Sequence, residues 1–456
     1  MRLLLAILLT TLLVPSALAG NAPSGFVPLF DGKTLDGWVV TGNPEGFTVL
    51  DGCIHSDGGK GGRLIRTDRP YGNFILRLEF MLSERGNSGI FLRGSDSDRG
   101  FEVQLSAPGR DDSHCTGSIY GRVPVNPRPD ETPLRWHAIE ITAAYKHIEV
   151  MVDGVKVCEG DYDQVPSMKD LRLAGYVGMQ DSHSGTGRWV KFRNIEINDL
   201  DQDPSFVAEG LVSSDPAIRR VAYDAAVGLG PPMVMPLLDI VVSADETASH
   251  TAEMALARIV GNASAPGADA QADQVRVALL DRVAASRDAS APERVLAARL
   301  LGLVGRADRR TIAVLTEAVL EGGQIGGTAL EGLGRIPGRA VTNALIEILP
   351  AADRSQQPGI LLALGARGDV AAFPALADAA RNRAGHMRLA AVQALGLLGS
   401  AKAVPILAQT GRNASTRIRA AAVEALLAIA DADGVAAPAR RQALRAAREL
   451  TVSDTQ

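Results

Sequence analysis

Residues 86–105, GNSGIFLRGSDSDRGFEVQL, set an arginine, a glutamate and a glutamine into runs that otherwise read as buried strands. In GFEVQL the two-residue period of a strand puts Phe101, Val103 and Leu105 on one face and Glu102 and Gln104, side by side, on the other. In GIFLRG the same period groups Arg93 with Phe91 and turns Ile90 and Leu92 away. If the two strands are neighbours, a carboxylate, an amide and a guanidinium meet on one polar face beside an aromatic ring. A concave face of this kind suits a sugar: the ring stacks on the pyranose, and amides and carboxylates bind its hydroxyls. The competing reading is a solvated outer face with an Arg–Glu cross-strand pair, worth about a few tenths of a kcal/mol.

Two further polar groups fall in Gly/Ser-rich loops, where function concentrates. DDSHCTGSIYG carries Asp111, Asp112, His114 and Tyr120; GYVGMQDSHSGTG carries Gln180, Asp181 and His183. A histidine with a pKa near neutral serves as general acid or base, or as a metal ligand, although a plain surface residue is the blander reading of each. Asp96 and Asp98 lack EF-hand spacing, and FDGKT has Val27 where a phosphate loop needs its first glycine, so both stretches read as turns. The patterns GxSxG, HExxH and paired CxxC do not occur.

The elements that must position these groups change character near residue 204. From about 26 to 200 the apolar residues alternate, as in FILRLEF, where Phe74, Leu76, Leu78 and Phe80 oppose Arg77 and Glu79. In HIEVMVDGVKV the Asp153-Gly154 pair predicts a type I′ hairpin turn. Trp38, Trp136 and Trp189 all lie in this half, which reads as an all-β jelly-roll sandwich. Beyond Pro204 the composition shifts to Ala, Leu, Arg and Gly with apolar spacings of three and four. Gly230, Gly261, Gly305, Gly334, Gly365, Gly399 and Ala430 recur at about 31 residues, with one longer interval attributed to an insertion at 262–273. Pairs of short helices stacked as an all-α solenoid are predicted, with the glycine capping a helix in the left-handed conformation. The pattern resembles HEAT repeats, and RRQALRAARELTV reads as the terminal capping helix.

Residues 1–19 combine one basic residue, an apolar run broken by Pro15 and the pattern Ala17-Leu18-Ala19, the marks of a cleavable secretory signal. Gly20, rather than a lipoprotein cysteine, follows. The reading is therefore an exported chain, periplasmic or secreted, without a membrane span after cleavage. It divides into the signal (1–19), a β domain (20–200), a linker (201–205) and the solenoid (206–456). The formal charge of −5 is spread along the chain without a basic stripe, which argues against nucleic acid as a partner. Cys53, Cys115 and Cys158 sit among apolar neighbours and read as buried free thiols rather than a bridge.

Eight stretches of the β half, FVPLFDGKTLDGW, YGNFILRLEF, GNSGIFLRG, GFEVQL, TGSIYG, RWHAIEI, VDGVKV and GYVGMQDSHSGTGRWVKFRNIEI, follow the order found in the 3-keto-disaccharide hydrolase domain family, which they resemble. The resemblance implies a concanavalin A-like fold and an enzyme acting on glycosides already oxidised to a ketone at C3. The ketone acidifies the C2 proton, so a base can remove it and the enolate can expel the aglycone from C1, with water adding afterwards. That route differs from two-carboxylate glycosidases. It implies Glu102 as base or as a carboxylate ligand of one divalent metal ion, Arg93 as enolate electrophile, and His114 or His183 as acid. Gln104, Asn87, Tyr120, Gln180 and Asp181 would bind the oligosaccharide or glycoside substrate. The solenoid would bind a protein partner. A non-catalytic glycan-binding module on the same scaffold is the alternative; a helical half active in the manner of bilin lyase relatives is weaker, since that half has no cysteine.

Overall fold

A computed structural model of the chain describes residues 25–452 apart from 98, 183–184, 244, 285–290, 305, 384 and 413. The signal reading at 1–19, His183, Asp98 and Gly305 therefore lie outside the described residues. Two compact units meet between Asp203 and Pro204.

The first unit is all β. Its strands are β1 (Phe26–Pro28), β2 (Trp38–Thr41), β3 (Thr48–Leu50), β4 (Cys53–Ser56), β5 (Leu64–Thr67), β6 (Phe74–Leu82) and β7 (Asn87–Gly94). They continue with β8 (Phe101–Ser106), β9 (His137–Ala144), β10 (His147–Val152), β11 (Val155–Asp161), β12 (Tyr176–Gln180) and β13 (Val190–Asp199). One sheet runs β11-β10-β9-β6-β13-β4-β3 with β1 added on β13; the other runs β2-β5-β12-β7-β8. Every pairing is antiparallel.

Alternation builds these strands as predicted. On β6, Phe74, Leu76, Leu78, Phe80 and Leu82 are buried, while Arg77 pairs with Glu140 and Glu79 with Arg193 on the outer side. They face Ile65, Ile90, Leu92, Phe101, Val103, Leu105, Val177 and Met179 of the second sheet in one core, each large side chain contributing about 1.5–3 kcal/mol. Asp153 (φ 48°) and Gly154 (φ 79°) make the turn between β10 and β11, both left-handed as a type I′ turn requires. The three cysteines are free and buried.

Residues 201–205, expected as a linker, are built into both units instead. Leu200–Gln202 forms a 3-10 turn, and the Asp201 carboxylate accepts from the Asn73 backbone N at 3.1 Å and its Nδ2 at 2.7 Å. The helix Pro204–Leu211 follows at once.

The second unit has fifteen α-helices among the described residues, from Pro204–Leu211 to Ala437–Val452. Gly230 (φ 69°) and Gly399 (φ 66°) follow helix ends with positive φ, as glycines there can, but Gly230 has ψ −125° and so is not in the left-handed helical conformation expected. Gly261, Gly334 and Gly365 do not follow helix ends: they lie inside the helices Glu246–Ala263, Gly323–Arg335 and Gln357–Ala366. At several steps the small residue serves backbone contact between successive helices. A Cβ on Gly365 would stand 2.4 Å from the Ala394 carbonyl oxygen, one on Gly302 2.7 Å from Gly332 Cα, and one on Gly396 2.8 Å from Ala425 Cα. Of the residues read as an insertion at 262–273, both ends belong to long helices, Glu246–Ala263 and Asp269–Ala284, and 264–268 form the turn between them. The last helix, Ala437–Val452, buries Ala443, Ala446, Ala447 and Leu450, as a terminal cap should. Among the described residues no single helix is long and apolar enough to cross a membrane.

Candidate active site on the five-stranded sheet

β7 and β8 are neighbours, with Asn87 opposite Ser106, Gly89 opposite Gln104 and Phe91 opposite Glu102. Ile90, Leu92, Phe101, Val103 and Leu105 enter the core, so Asn87, Gly89, Phe91, Glu102 and Gln104 share the other face. That face is not a solvated surface. Phe91 and Leu64 are buried yet stand outside the inter-sheet core, and Gln104 is only 2 % exposed. The bland reading of an exposed Arg–Glu pair is thereby excluded.

Glu102 lies across Gly89. A Cβ built on Gly89 would stand 2.0 Å from Glu102 Oε1 and 2.7 Å from its Cγ and Cδ, so the missing side chain is what gives the carboxyl its place. Beside it, the Gln104 side-chain amide is wedged between two partners. Its Nε2 donates to Asn87 Oδ1 at 2.7 Å; turned about, its nitrogen donates to Glu102 Oε1 at 3.1 Å and to the Ser88 carbonyl at 3.3 Å. Burial raises the Glu102 pKa from 4.5 to about 7, against the opposing pull of Arg99 and Arg110. A carboxyl poised there exchanges a proton readily in either direction at neutral pH.

Residues 117–120 run along the free edge of β8. Gln104 N donates to Ser118 O at 3.0 Å, Gly117 N to Gln104 O at 2.9 Å and Tyr120 N to Glu102 O at 2.9 Å. Ile119 bridges Val103 and enters the core, so Tyr120 alternates onto the Glu102 face, where it is 38 % exposed. The His114 ring packs edge-on against it at 4.8 Å. His114 Nδ1 bonds Asp111 Oδ1 at 2.8 Å, and that bond lowers the Asp111 pKa. The loop thus brings His114 and Tyr120 together at the margin of the face.

On the opposite flank, Gly178 of β12 pairs with Phe91. Gln180, two residues on, is buried; its carbonyl accepts from Ser88 Oγ at 2.8 Å, and its Oε1 has no hydrogen-bond partner. Asp181 does different work. Its Oδ2 accepts from the Arg63 backbone N at 3.0 Å and its own N donates to Arg63 O at 3.0 Å. It fastens the glycine-rich segment 57–63 to the end of β12.

Arg93 is the correction. Its backbone is left-handed (φ 56°), and the β7–β12 register shifts between Tyr176↔Gly94 and Gly178↔Phe91, which is a β-bulge. The bulge turns the side chain off the Glu102 face and into the interior, 1 % exposed. There Nη1 donates to the Tyr145 carbonyl at 2.6 Å and to Tyr162 Oη at 2.9 Å, while Nε and Nη2 donate to the Gly72 carbonyl at 3.2 and 3.0 Å. With its donors committed to buried acceptors, Arg93 is a tie between loops and is not placed to meet an enolate. The cations acting on Glu102 are Arg99, whose guanidinium lies 5.6 Å from the Phe91 ring centroid, and Arg110. Gly89, Arg99 and Arg110 escaped the sequence reading, although a glycine inside a strand is a signal of close approach.

Glu102 belongs to no group of three metal-ligand atoms among the described residues. The one group of three such ligand atoms found within 4.8 Å of one another there is His147, Glu149 and Glu159, on β10 and β11 of the other sheet. Lys156 Nζ already occupies that cluster, 2.7 Å from Glu159 and 3.7 Å from Glu149.

Residues 25–198 match the family model of the 3-keto-alpha-glucoside-1,2-lyase-like domain, and residues 342–427 match that of HEAT repeats. The chain is 28 % identical over 235 residues to a 3-keto-disaccharide hydrolase of Bacteroides thetaiotaomicron, covering 39 % of this chain and 79 % of that one. Two crystal structures from Parabacteroides distasonis, provisionally described as glycosyl hydrolases, are also similar. One is 23 % identical with a TM-score of 0.34, covering 39 % of this chain and 94 % of that one. The other is 26 % identical with a TM-score of 0.35, covering 38 % and 99 %.

Proposed function

We propose that this chain, a 3-keto-disaccharide hydrolase-type domain followed by HEAT repeats, cleaves 3-keto-glycosides by elimination across C1 and C2. The observation that carries the reading is Glu102: a half-buried carboxyl, seated over Gly89, with a pKa of about 7. Glu102 takes the C2 proton, and the C2–H electrons pass into the enolate of the C3 ketone. The enolate then re-forms the C3 ketone and makes a C1=C2 double bond as the C1–O bond breaks, and the departing oxygen collects a proton. Water adding to the resulting enone at C1 gives net hydrolysis. Base catalysis of this kind is worth about a hundred- to ten-thousand-fold.

The neighbours take parts suited to their placement. Arg99 and Arg110 replace Arg93 as the positive groups favouring the enolate oxygen. His114, with Nδ1 engaged by Asp111, supplies the leaving-group proton from Nε2. Tyr120, 38 % exposed, offers its ring to the sugar, while Phe91 and Gln180 are buried behind the face. Asp181, spent on Arg63, holds the loop rather than the substrate. A divalent ion held by Glu102 stays part of the proposal, and the chelator arm of the assay below tests it. Export by residues 1–19 and a protein partner on the solenoid complete it; amino-terminal sequencing of the mature protein checks the first.

The test is purified full chain with a 3-keto-disaccharide, with and without chelator, following sugar release. Wild type turns over, and Glu102→Gln loses at least about a hundred-fold in kcat with KM little changed. A chain that binds the sugar tightly without releasing product is a glycan-binding module, and the proposal fails. Rates that survive chelation remove the metal ion from the scheme.

A further inference from the structure

We infer that the sugar bound at Glu102 carries an anionic group, a carboxylate, sulfate or phosphate ester, which Arg99 and Arg110 recognise. Both arginines are exposed, and among the described residues neither guanidinium has a carboxylate within ion-pair distance, because the acids around the face are engaged elsewhere. Asp96 pairs with Arg66, Asp111 with His114, and Asp112 and Glu131 with Arg128, while Asp181 accepts from the Arg63 backbone N. Both arginines also stand on backbone that is tied down. Asp96, in the same β7–β8 connection as Arg99, bonds Arg66 of β5 at 2.8 Å, and the Arg66 guanidinium lies 3.7 Å from the Tyr176 ring centroid. The Arg99 guanidinium stands 5.6 Å from the Phe91 ring centroid, within cation–π range. At the other end of β8, the Arg110 carbonyl accepts from Arg128 Nη2 at 2.6 Å, and Arg128 bonds Asp112 at 3.0 Å and Glu131 at 2.9 Å. Two held but unmatched cations thus come from opposite ends of β8 to act on one carboxyl.

A guanidinium is permanently charged, and its planar fork of donors matches the paired oxygens of a carboxylate, sulfate or phosphate. A neutral sugar makes little use of two such forks before reaction, whereas a sugar bearing an anion is drawn to them from solution. The inference deepens the proposed elimination and rests on it for turnover. There the two charges favour an enolate that exists only during reaction; here they also hold a charge the substrate brings with it. The two tasks separate in kinetics. Removing a cation that meets only the enolate lowers kcat alone, while removing one that also holds a substrate anion raises KM for anionic substrates and leaves KM for neutral ones unchanged.

The experiment is calorimetric titration of the full chain with four unreactive sugars: methyl glucoside, methyl glucuronide, glucose 6-sulfate and glucose 6-phosphate. At about 20 mM salt at least one anionic sugar is expected to bind about five- to tenfold tighter than methyl glucoside, a preference that shrinks to about twofold or less at about 0.5 M. The tightest of the three identifies the anion. Arg99→Gln and Arg110→Gln are each expected to reduce the preference by about threefold. Arg77→Gln, which removes an equal charge from the outer side of the other sheet, should leave it intact. Anionic sugars that bind no tighter than the neutral one overturn the inference, and so does a preference that survives both arginine variants or the higher salt. Binding is read without turnover, so the two failures are separable. A chain that prefers the anion but releases nothing from a 3-keto-disaccharide loses the elimination and keeps the anion site; one that turns over the neutral disaccharide without any preference does the reverse.

Discussion

Gly89→Ala is the sharpest perturbation of the site. Gly89 is outside the left-handed region, so alanine takes its backbone conformation without strain and even gains about 0.4–1 kcal/mol by restricting the unfolded chain. The new methyl would stand 2.0 Å from Glu102 Oε1. Real Cβ contacts do not fall below 3.0 Å, so the carboxyl must swing by at least about 1 Å, a displacement that costs on the order of a hundred-fold in rate, or about 2.7 kcal/mol of transition-state stabilisation. Cγ and Cδ, both at 2.7 Å, must move as well, so the whole Glu102 side chain turns about χ1 while the strand backbone stays paired. The expected result is a melting temperature within a few degrees of wild type and a hundred-fold loss of kcat/KM, carried by kcat, in the sugar-release assay. A Gly89→Ala protein that folds and turns over at the wild-type rate would refute the claim that Glu102 must occupy this position.

Other expectations follow from the same contacts. Turnover should rise with pH through about 7 as Glu102 ionises. The linkage to stability has the opposite sense: because the folded pKa lies above the ordinary 4.5, the native state holds the extra proton, and stability falls as pH climbs from 4.5 through 7. Glu102→Gln should therefore melt higher than wild type at pH 8, by on the order of 1–3 kcal/mol, and show no such gain at pH 4. Arg93→Lys cannot reach the acceptors that the guanidinium spans, so it should destabilise the β unit by about 2–4 kcal/mol in denaturant titrations while the folded fraction keeps its kcat. In the solenoid, Gly365→Ala forces a methyl to 2.4 Å from a backbone oxygen and should cost about 1–3 kcal/mol. Gly334→Ala, with open space around it, should be neutral or stabilising by up to about 1 kcal/mol, and equal effects at the two sites would count against the close-approach account.

Alternation alone made Glu102 and Gln104 legible as partners on one face, because β8 is regular and its core residues Phe101, Val103 and Leu105 leave no second register. The same rule misplaced Arg93, because a bulge inserts one residue and reverses every inference drawn past it; nothing in GIFLRG distinguishes an arginine facing outward from one buried against three oxygens. In the helical unit the recurrence of small residues was legible but its cause was not. A glycine at a helix end and a glycine at a helix crossing leave the same mark on a sequence, and only the 2.4 Å approach at Ala394 tells them apart. The roles of Gly89 and of the Arg99 and Arg110 charges depend on contacts between segments that a linear reading cannot bring together.

The bulge at Arg93 also ends the Glu102 face along β7. Past Phe91 the strand no longer presents its next polar side chain outward, and the Arg99 guanidinium sits over that ring. Along β7 itself polar lining continues the other way, over roughly 13 Å from Phe91 to Asn87 at 3.3 Å per residue, while Arg66 and Tyr176 line the face across β5 and β12. On the proposed function, a ring reacting at Glu102 lies at the Phe91 end of the β7 lining, so trimming from the terminus of a glycan is expected, and internal cleavage of a longer oligomer would contradict this polarity.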